Sequence, residues 1–353
     1  MFQNFINSRV AIASMSVLAL TAISSGAPAL AQSGAGRPIT GPAPAGVTTP
    51  AHLSYGFDTG KTYHYKVLAF FSGQIPKLSE PGTDAHIKAE LYYAAKIAKQ
   101  DEKGMTVAFT VEGETLSFLA KEPGEDGKVN PDDELPFPLP LAQVQSFLNC
   151  TAIIKPDGTI TSVSGGSTQP IKIDVGVDLR KLFLLVLPVT FPQKGVSPGA
   201  TWDFSEGFLG KKPGRTTYVG KLDTVKTEGG KSVFQISQTA KSTVLDKIDK
   251  EGNSSPDPKK QVGSITGDVS ATGTMNFAIP ATRTGATTVK PGYYTGQLTT
   301  GKMLLNVNLK RDMPDTEHAG KRSVDPISVR GRMTVSVQAG PPADASPAPA
   351  ASK

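Results

Sequence analysis

Apolar and polar residues alternate along most of this chain. In "TVAFTVE" Val107, Phe109 and Val111 fall on one face. In "MLLNVNLK" Leu305, Val307 and Leu309 share a face, with Asn306 and Asn308 opposite. "RMTVSVQ" groups Met333, Val335 and Val337, and "TYHYKVLAFF" sets Tyr63, Tyr65 and Val67 against His64, Lys66 and Leu68. "SVFQISQT" follows less cleanly, with Val233 and Ile236 read together and Phe234 off phase. A period of two, rich in Val, Thr and Phe, predicts half-buried strands. Turn signals recur between them. "TAIIKPDGTITSV" reads as a hairpin around Pro156-Asp157-Gly158, and "QDEKGMTV" and "KTEGGKSV" as two more turns.

Three segments need separate treatment. "HIKAELYYAAKIAK" supports both periods: Ile87, Ala89, Leu91, Tyr93, Ala95 and Ile97 alternate, while Ile87, Leu91, Ala94 and Ala98 form a helical stripe. The turn and clear strand that follow favour a strand, against the helix propensity of Ala and Lys. "VDLRKLFLLVLP" predicts a helix capped by Asp178 and ended by Pro188, with Leu179, Leu182, Phe183 and Val186 on one face. Leu184, Leu185 and Leu187 make it apolar nearly all round, so both faces need cover. A shorter helix is expected over Leu141–Leu148, with Val144 and Leu148 inward.

Together these elements predict a mainly β fold: a large curved antiparallel sheet, half-barrel-like, with one or two short helices. The alternative is two β lobes divided near Pro192. "FDTGKTYHY" and "VSPGATWDF", which share Gly-x-Thr-aromatic, would then each open a lobe.

Composition assigns the ends. Residues 1–31 read as a secretory signal: one Arg, an apolar run, then small residues with cleavage expected after Ala31. The apolar run is too short for a bilayer span, which needs about 20 residues, so no integral span is expected once the leader is removed. Residues 32–50 and 339–353 are rich in Ala and Pro and read as disordered flanks of a β-rich domain over 51–338. The expected location is the periplasm or the exterior of a bacterial cell.

The formal net charge is +6 and falls by one when Arg9 leaves with the leader. No basic run with interleaved aromatics occurs, so nucleic acid is not expected as a partner. Cys150 is the single cysteine, so no intramolecular disulfide can form and the core alone must hold the fold. It lies between apolar stretches and reads as a buried small hydrophobe.

Few motifs in the chain carry chemistry. "YGFDTGKTYHY" contains Gly-Lys-Thr, but Gly56 and Gly60 stand one residue too close for a phosphate loop, and a strand pattern follows where a helix N-terminus is needed. Asp58-Thr59-Gly60-Lys61 therefore reads as a turn into a strand, with Tyr63, Tyr65 and Trp202 as core or sheet-face aromatics. His52, His64, His86 and His318 are too dispersed for a zinc motif. No Gly-x-Ser-x-Gly elbow occurs. Asp132, Asp133 and Glu134 sit among prolines and read as a solvated turn rather than paired catalytic carboxylates. Asn149 and Asn253 begin glycosylation sequons.

The leader, "FDTGKTYHYKV", "DLRKLFLLVLP" and "VSPGATWDF" resemble exported bacterial β-rich proteins. The general plan is similar to the lipoprotein-carrier class, in which a curved antiparallel sheet wraps an apolar cavity lidded by helices. The absence of a reactive constellation beside an unusually apolar helix gives the leading expectation: a non-catalytic exported envelope protein, without cofactor or metal, that binds an apolar small molecule, a lipid or an envelope protein. If the sheet encloses a cavity, Leu182, Phe183, Leu185 and Val186 would line it; the alternative is that they fill the core. Two other functions stay open: a structural surface protein, and a hydrolase with a site assembled from separate strands. An outer-membrane barrel is less expected, because the chain ends in a polar Ala/Pro tail.

Overall fold

The computed structural model describes residues 50–74, 83–123, 129–136, 140–166, 184–204, 216–248, 255, 257–279, 292–312 and 327–340. Thirteen strands form one sheet: β1 (His52–Tyr55), β2 (Thr62–Gln74), β3 (Ala85–Asp101), β4 (Gly104–Leu119), β5 (Glu134–Pro136), β6 (Cys150–Ile154), β7 (Ile160–Ser164), β8 (Thr201–Phe204), β9 (Thr216–Glu228), β10 (Lys231–Ile248), β11 (Gly263–Ile279), β12 (Tyr293–Asp312) and β13 (Ile327–Gly340). One α-helix, α1 (Leu141–Leu148), and a short 3-10 turn (Pro131–Asp133) stand among them.

The strand order is β7-β6-β4-β3-β2-β13-β12-β11-β10-β9-β8, with β5 on β4 and β1 parallel to the start of β12. The chain starts in the middle at β2 and walks outward to β7. It then crosses to the far edge at β8 and walks back to β13, which pairs with β2. The sheet is open, with β7 and β8 at its edges. The alternative boundary near Pro192 falls in the crossing segment, and the described strands on either side of it are joined along β2 and β13.

Alternation decides which face is inner. A row of directly paired residues runs Phe118, Ile87, Phe71, Met333, Leu305, Ala271, Ala240, Tyr218 from β4 to β9. All but half-buried Phe118 are buried in one continuous core. Paired residues of an antiparallel ladder share a face, so this row is an unbroken apolar stripe across the sheet. The ambiguous segment is strand β3, as expected: its alternating set from Ile87 to Ile97 is buried, and both its edges are paired. Two ladders and a buried face outweigh Ala and Lys propensity.

On β10 the phase differs from expectation. Phe234 and Ile236 share the inner face, both at 0% exposure, and Val233 lies on the opposite side. The hairpin at Pro156-Asp157-Gly158 and the turns at Lys103 and Gly229-Gly230 form as the sequence predicts. Helix α1 matches its expected bounds, with Val144 and Leu148 buried. The helix expected over 179–187 falls largely outside the described residues. Its described end is not α-helical: Leu184 and Leu185 are in 3-10 conformation and Val186 is in a turn.

One end of the inner face is stoppered by aromatic rings. Tyr55 lies 4.9 Å from Phe191 and 5.6 Å from Phe277, and Phe191 lies 5.0 Å from Phe277. The tip of the β6–β7 hairpin docks on this cluster. The Tyr55 amide donates to the Pro156 carbonyl and the Phe191 amide to the Asp157 carbonyl, each at 2.7 Å. Gly158 has φ +92°, and a Cβ there would stand 2.8 Å from the Tyr55 ring and 2.9 Å from the Val189 carbonyl oxygen. Backbone strain and a clash then coincide. Gly158→Ala is expected to cost about 1–3 kcal/mol, read as a lower denaturation midpoint with an unchanged denaturant slope.

Candidate apolar binding face

The inner face is covered by the chain's own irregular segments. Every residue from Leu184 to Val189 is buried, as are Phe191 and Val196. From the N-terminal side Ala51, Leu53, Tyr55 and Phe57 are buried with them in the same core. This strap is neither helix nor long strand, so its backbone groups need outside partners. Tyr55 donates its hydroxyl to the Val189 carbonyl at 2.9 Å, and the Trp202 indole N–H donates to the Thr190 carbonyl at 2.9 Å. Ala51 and Val196 exchange amide bonds of 2.8 Å. The Gly56 amide donates to the Gly296 carbonyl at 2.8 Å. Side chains from the sheet thus satisfy a main chain that water cannot reach.

Of the residues expected to line a ligand site, Leu185 and Val186 are buried in this core. Leu182 and Phe183 lie outside the described residues. Trp202 and Tyr65 are core aromatics as expected, while Tyr63 is half-buried and holds Asp58 through its hydroxyl.

Helix α1 fills a gap along β4. Strand β6 pairs β4 over Met105–Phe109, and β5 pairs it over Ser117–Leu119. Between them β4 has no described strand on that side. The Gln145 side-chain amide donates to the Val111 carbonyl at 2.7 Å, and the Val111 amide donates to Asn149 Oδ1 at 2.8 Å. The first sequon asparagine is therefore an edge cap for β4. Cys150, buried as expected, begins β6 directly after it.

Among the described residues, two ionisable side chains stand out on the inner face. Tyr93 is fully buried and its hydroxyl has no hydrogen bond. Burial pushes its ionisation, like that of Tyr55 and Tyr65, well above the ordinary phenol range. Glu114 on β4 pairs Leu91, which is buried on the inner face. Glu114 is half-buried, and burial raises its carboxyl above the usual carboxylate range. It heads an otherwise apolar row: Leu91, Val67, Val337, Gly301, Met275, Ile236, Leu222. Tyr93 and Glu114 flank a bulge where the β3–β4 register shifts between Tyr92 and Tyr93. Tyr93 pairs Val111, two positions along β3 from Leu91, or about 7 Å.

The outer face carries the charges. His64 Nδ1 lies 2.8 Å from Glu112, and Ser72 bonds His86 at 2.9 Å. Lys66 pairs Glu90 at 2.7 Å, and Tyr92 donates a short bond to the same carboxylate. Lys88 pairs Glu134 at 2.9 Å, and Ser117 donates to it at 2.7 Å. The solvated turn expected at Asp132, Asp133 and Glu134 holds in part: Asp132 is exposed, but Glu134 is half-buried and tied to β3 and β4. Partial burial would raise both glutamates, but the bonds from Lys66 and Tyr92, and from Lys88 and Ser117, win and hold Glu90 and Glu134 below the usual range. Asp58 to Lys61 is a turn, closed by a Lys61–Asp58 ion pair of 3.0 Å and by Gly60 at φ +82°. Among the described residues no three His, Cys, Asp or Glu gather as a metal site. His318 and Asn253 lie outside them.

No protein-family model matches the chain, and no curated protein matches it. A solved structure described as "Lipid-protein interactions in lipovitellin" is similar at 14% identity and a TM-score of 0.41. The match covers 84% of this chain and 26% of that one, so the chain spans a small part of that protein's length.

The outer-face pairs give a pH dependence. A carboxyl held low in the folded state stabilises above its unfolded value, 4.5 for Glu134, and that stability is lost as pH falls through the folded value. Glu134→Gln is expected to lower the melting temperature by about 2–4 °C at pH 7. The difference should shrink as both proteins are melted at successively lower pH below 4.5. A gap that stays unchanged on acidification would show that the loss is steric.

Proposed function

We propose that this protein is an exported, non-catalytic binding protein that carries an apolar, lipid-like ligand against the inner face of its sheet. The observation that carries the proposal is the apolar stripe running unbroken from β4 to β9. Among the described residues it is covered by irregular segments and one short helix, with no second sheet. A sheet that needs only a stable core packs against a second sheet or a layer of helices. Irregular cover is the poorer filler, and it suits a face that accepts a guest. Long strands give such a face the length of an acyl chain: β12 has 20 residues and β10 has 18, each spanning roughly 60 Å if fully extended. Buried polar side chains on the described strands are few, Ser117 and Ser242 among them, so the interior favours hydrocarbon over water.

Export belongs to the same proposal. A leader cleaved after Ala31 would deliver the chain to a compartment where lipid must cross water, and a single buried cysteine suits an oxidising one. The test is direct. The protein is purified without detergent from the exported fraction and its N-terminus sequenced. Bound material is extracted with organic solvent and identified by mass spectrometry. A mature start at Gln32 and a near-stoichiometric apolar molecule are expected. A ligand-free protein that takes up no lipid from vesicles would overturn the binding function, and an intact leader would overturn export.

A further inference from the structure

The inner face is mostly apolar, and two of its few polar side chains lie beside the β3–β4 bulge. There, among the described residues, the Tyr93 hydroxyl has no hydrogen-bond partner and the Glu114 carboxyl is half-buried. Elsewhere around this face Tyr55 and Trp202 each donate to a strap carbonyl. Gln145 on α1 and Asn149 at its C-cap bond Val111, and the Tyr93 hydroxyl bonds neither. An unpaired buried donor and a half-buried carboxylate are each unfavourable. Their chemistry is complementary to one kind of molecule. Tyr93 can donate to an acceptor. Glu114 can accept from a donor or pair with a cation.

We propose that Tyr93 and Glu114 are the polar end of the binding face, and that they take the headgroup of a single-chain lipid carrying a hydroxyl or ammonium donor beside an ester oxygen. The acyl chain would lie along the row that Glu114 heads, from Leu91 and Val67 towards Met275 and Ile236. A free fatty acid is disfavoured, because its carboxylate would face Glu114. Helix α1 covers the gap in β4 beside this site, and its N-cap, Pro140, makes no side-chain capping bond. This inference rests on the apolar-binding function proposed above and adds the headgroup class.

The experiment uses the delipidated full chain and displacement of diphenylhexatriene, a fluorescent hydrocarbon with no polar atom. The competitors are 1-monooleoylglycerol, octadecylamine and oleate, tested on wild type, Tyr93→Phe and Glu114→Gln. Tyr93→Phe is expected to weaken monooleoylglycerol roughly five- to tenfold and to leave diphenylhexatriene unchanged. Glu114→Gln is expected to weaken octadecylamine and tighten oleate. A hydroxyl headgroup would survive Glu114→Gln, because the amide oxygen still accepts; an ammonium headgroup would not. Melting temperatures of both variants should equal or exceed that of wild type, since Tyr93→Phe removes an unpaired hydroxyl and Glu114→Gln removes a half-buried ionisable carboxyl. Parallel changes for all four molecules, or none, would overturn the assignment of these two residues while leaving apolar binding intact. A wild type that takes up no diphenylhexatriene would instead defeat the binding function itself, and this inference with it.

Discussion

A single open sheet must hide one entire face from water, and the rest of the structure answers that requirement. Alternation along β2, β3, β4 and β10 to β13 puts Val, Leu, Ile, Met and Phe on the same side. Each such side chain contributes about 1.5–3 kcal/mol only if it is covered. Among the described residues no second sheet covers them. Cover comes from the strap at Leu184–Phe191, from Ala51–Phe57 and from α1. The hydrogen bonds of Tyr55 and Trp202 to strap carbonyls follow from the same requirement, because an irregular backbone cannot enter an apolar interior with its carbonyls unpaired.

The order of the strands supplies that cover. The chain begins in the middle of the sheet, leaves by one edge and returns by the other, so the segment between β7 and β8 has to cross. That crossing carries the most apolar stretch of the described chain outside the strands, "LLVLPVTF". The pairing of β2 with β13 closes the two halves into one sheet without a disulfide. The aromatic cluster of Tyr55, Phe191 and Phe277 joins hairpin tip, strap and β11 at one end.

Much of this fold is legible in the sequence. Strict alternation in "TVAFTVE", "MLLNVNLK" and "RMTVSVQ" marks strands whose inner residues are those expected, and α1 and the three tight turns fall where their residues predict. The polar end of the inner face is hidden by a change of phase. The alternation of Val107, Phe109 and Val111 would continue through Gly113 and Thr115 to put Glu114 outside. The extra residue Glu112, at the bulge, flips the phase and brings Glu114 and Leu116 inside. A bulge has no reliable sequence signature, since it depends on the partner strand. Phe234 departs from its expected phase for a simpler reason: Val233 is also apolar, so "SVF" offers two phases, and only the pairing of β10 with β11 chooses between them. The strap's conformation is not legible because an all-round apolar run matches a buried helix and a buried coil equally well.

If the inner face, rather than an outer surface or a sheet edge, meets the ligand, photolabelling will show it most directly. A single-chain lipid bearing a diazirine at mid-chain is bound to the delipidated protein, irradiated, and the labelled peptides sequenced. Adducts are expected on inner-phase residues such as Leu91, Val67, Val337, Met275 and Ile236, competed away by unlabelled lipid. Labelling confined to outer-phase residues such as Leu68, Phe70 and Leu304, or labelling that lipid does not compete, would contradict binding at the inner face.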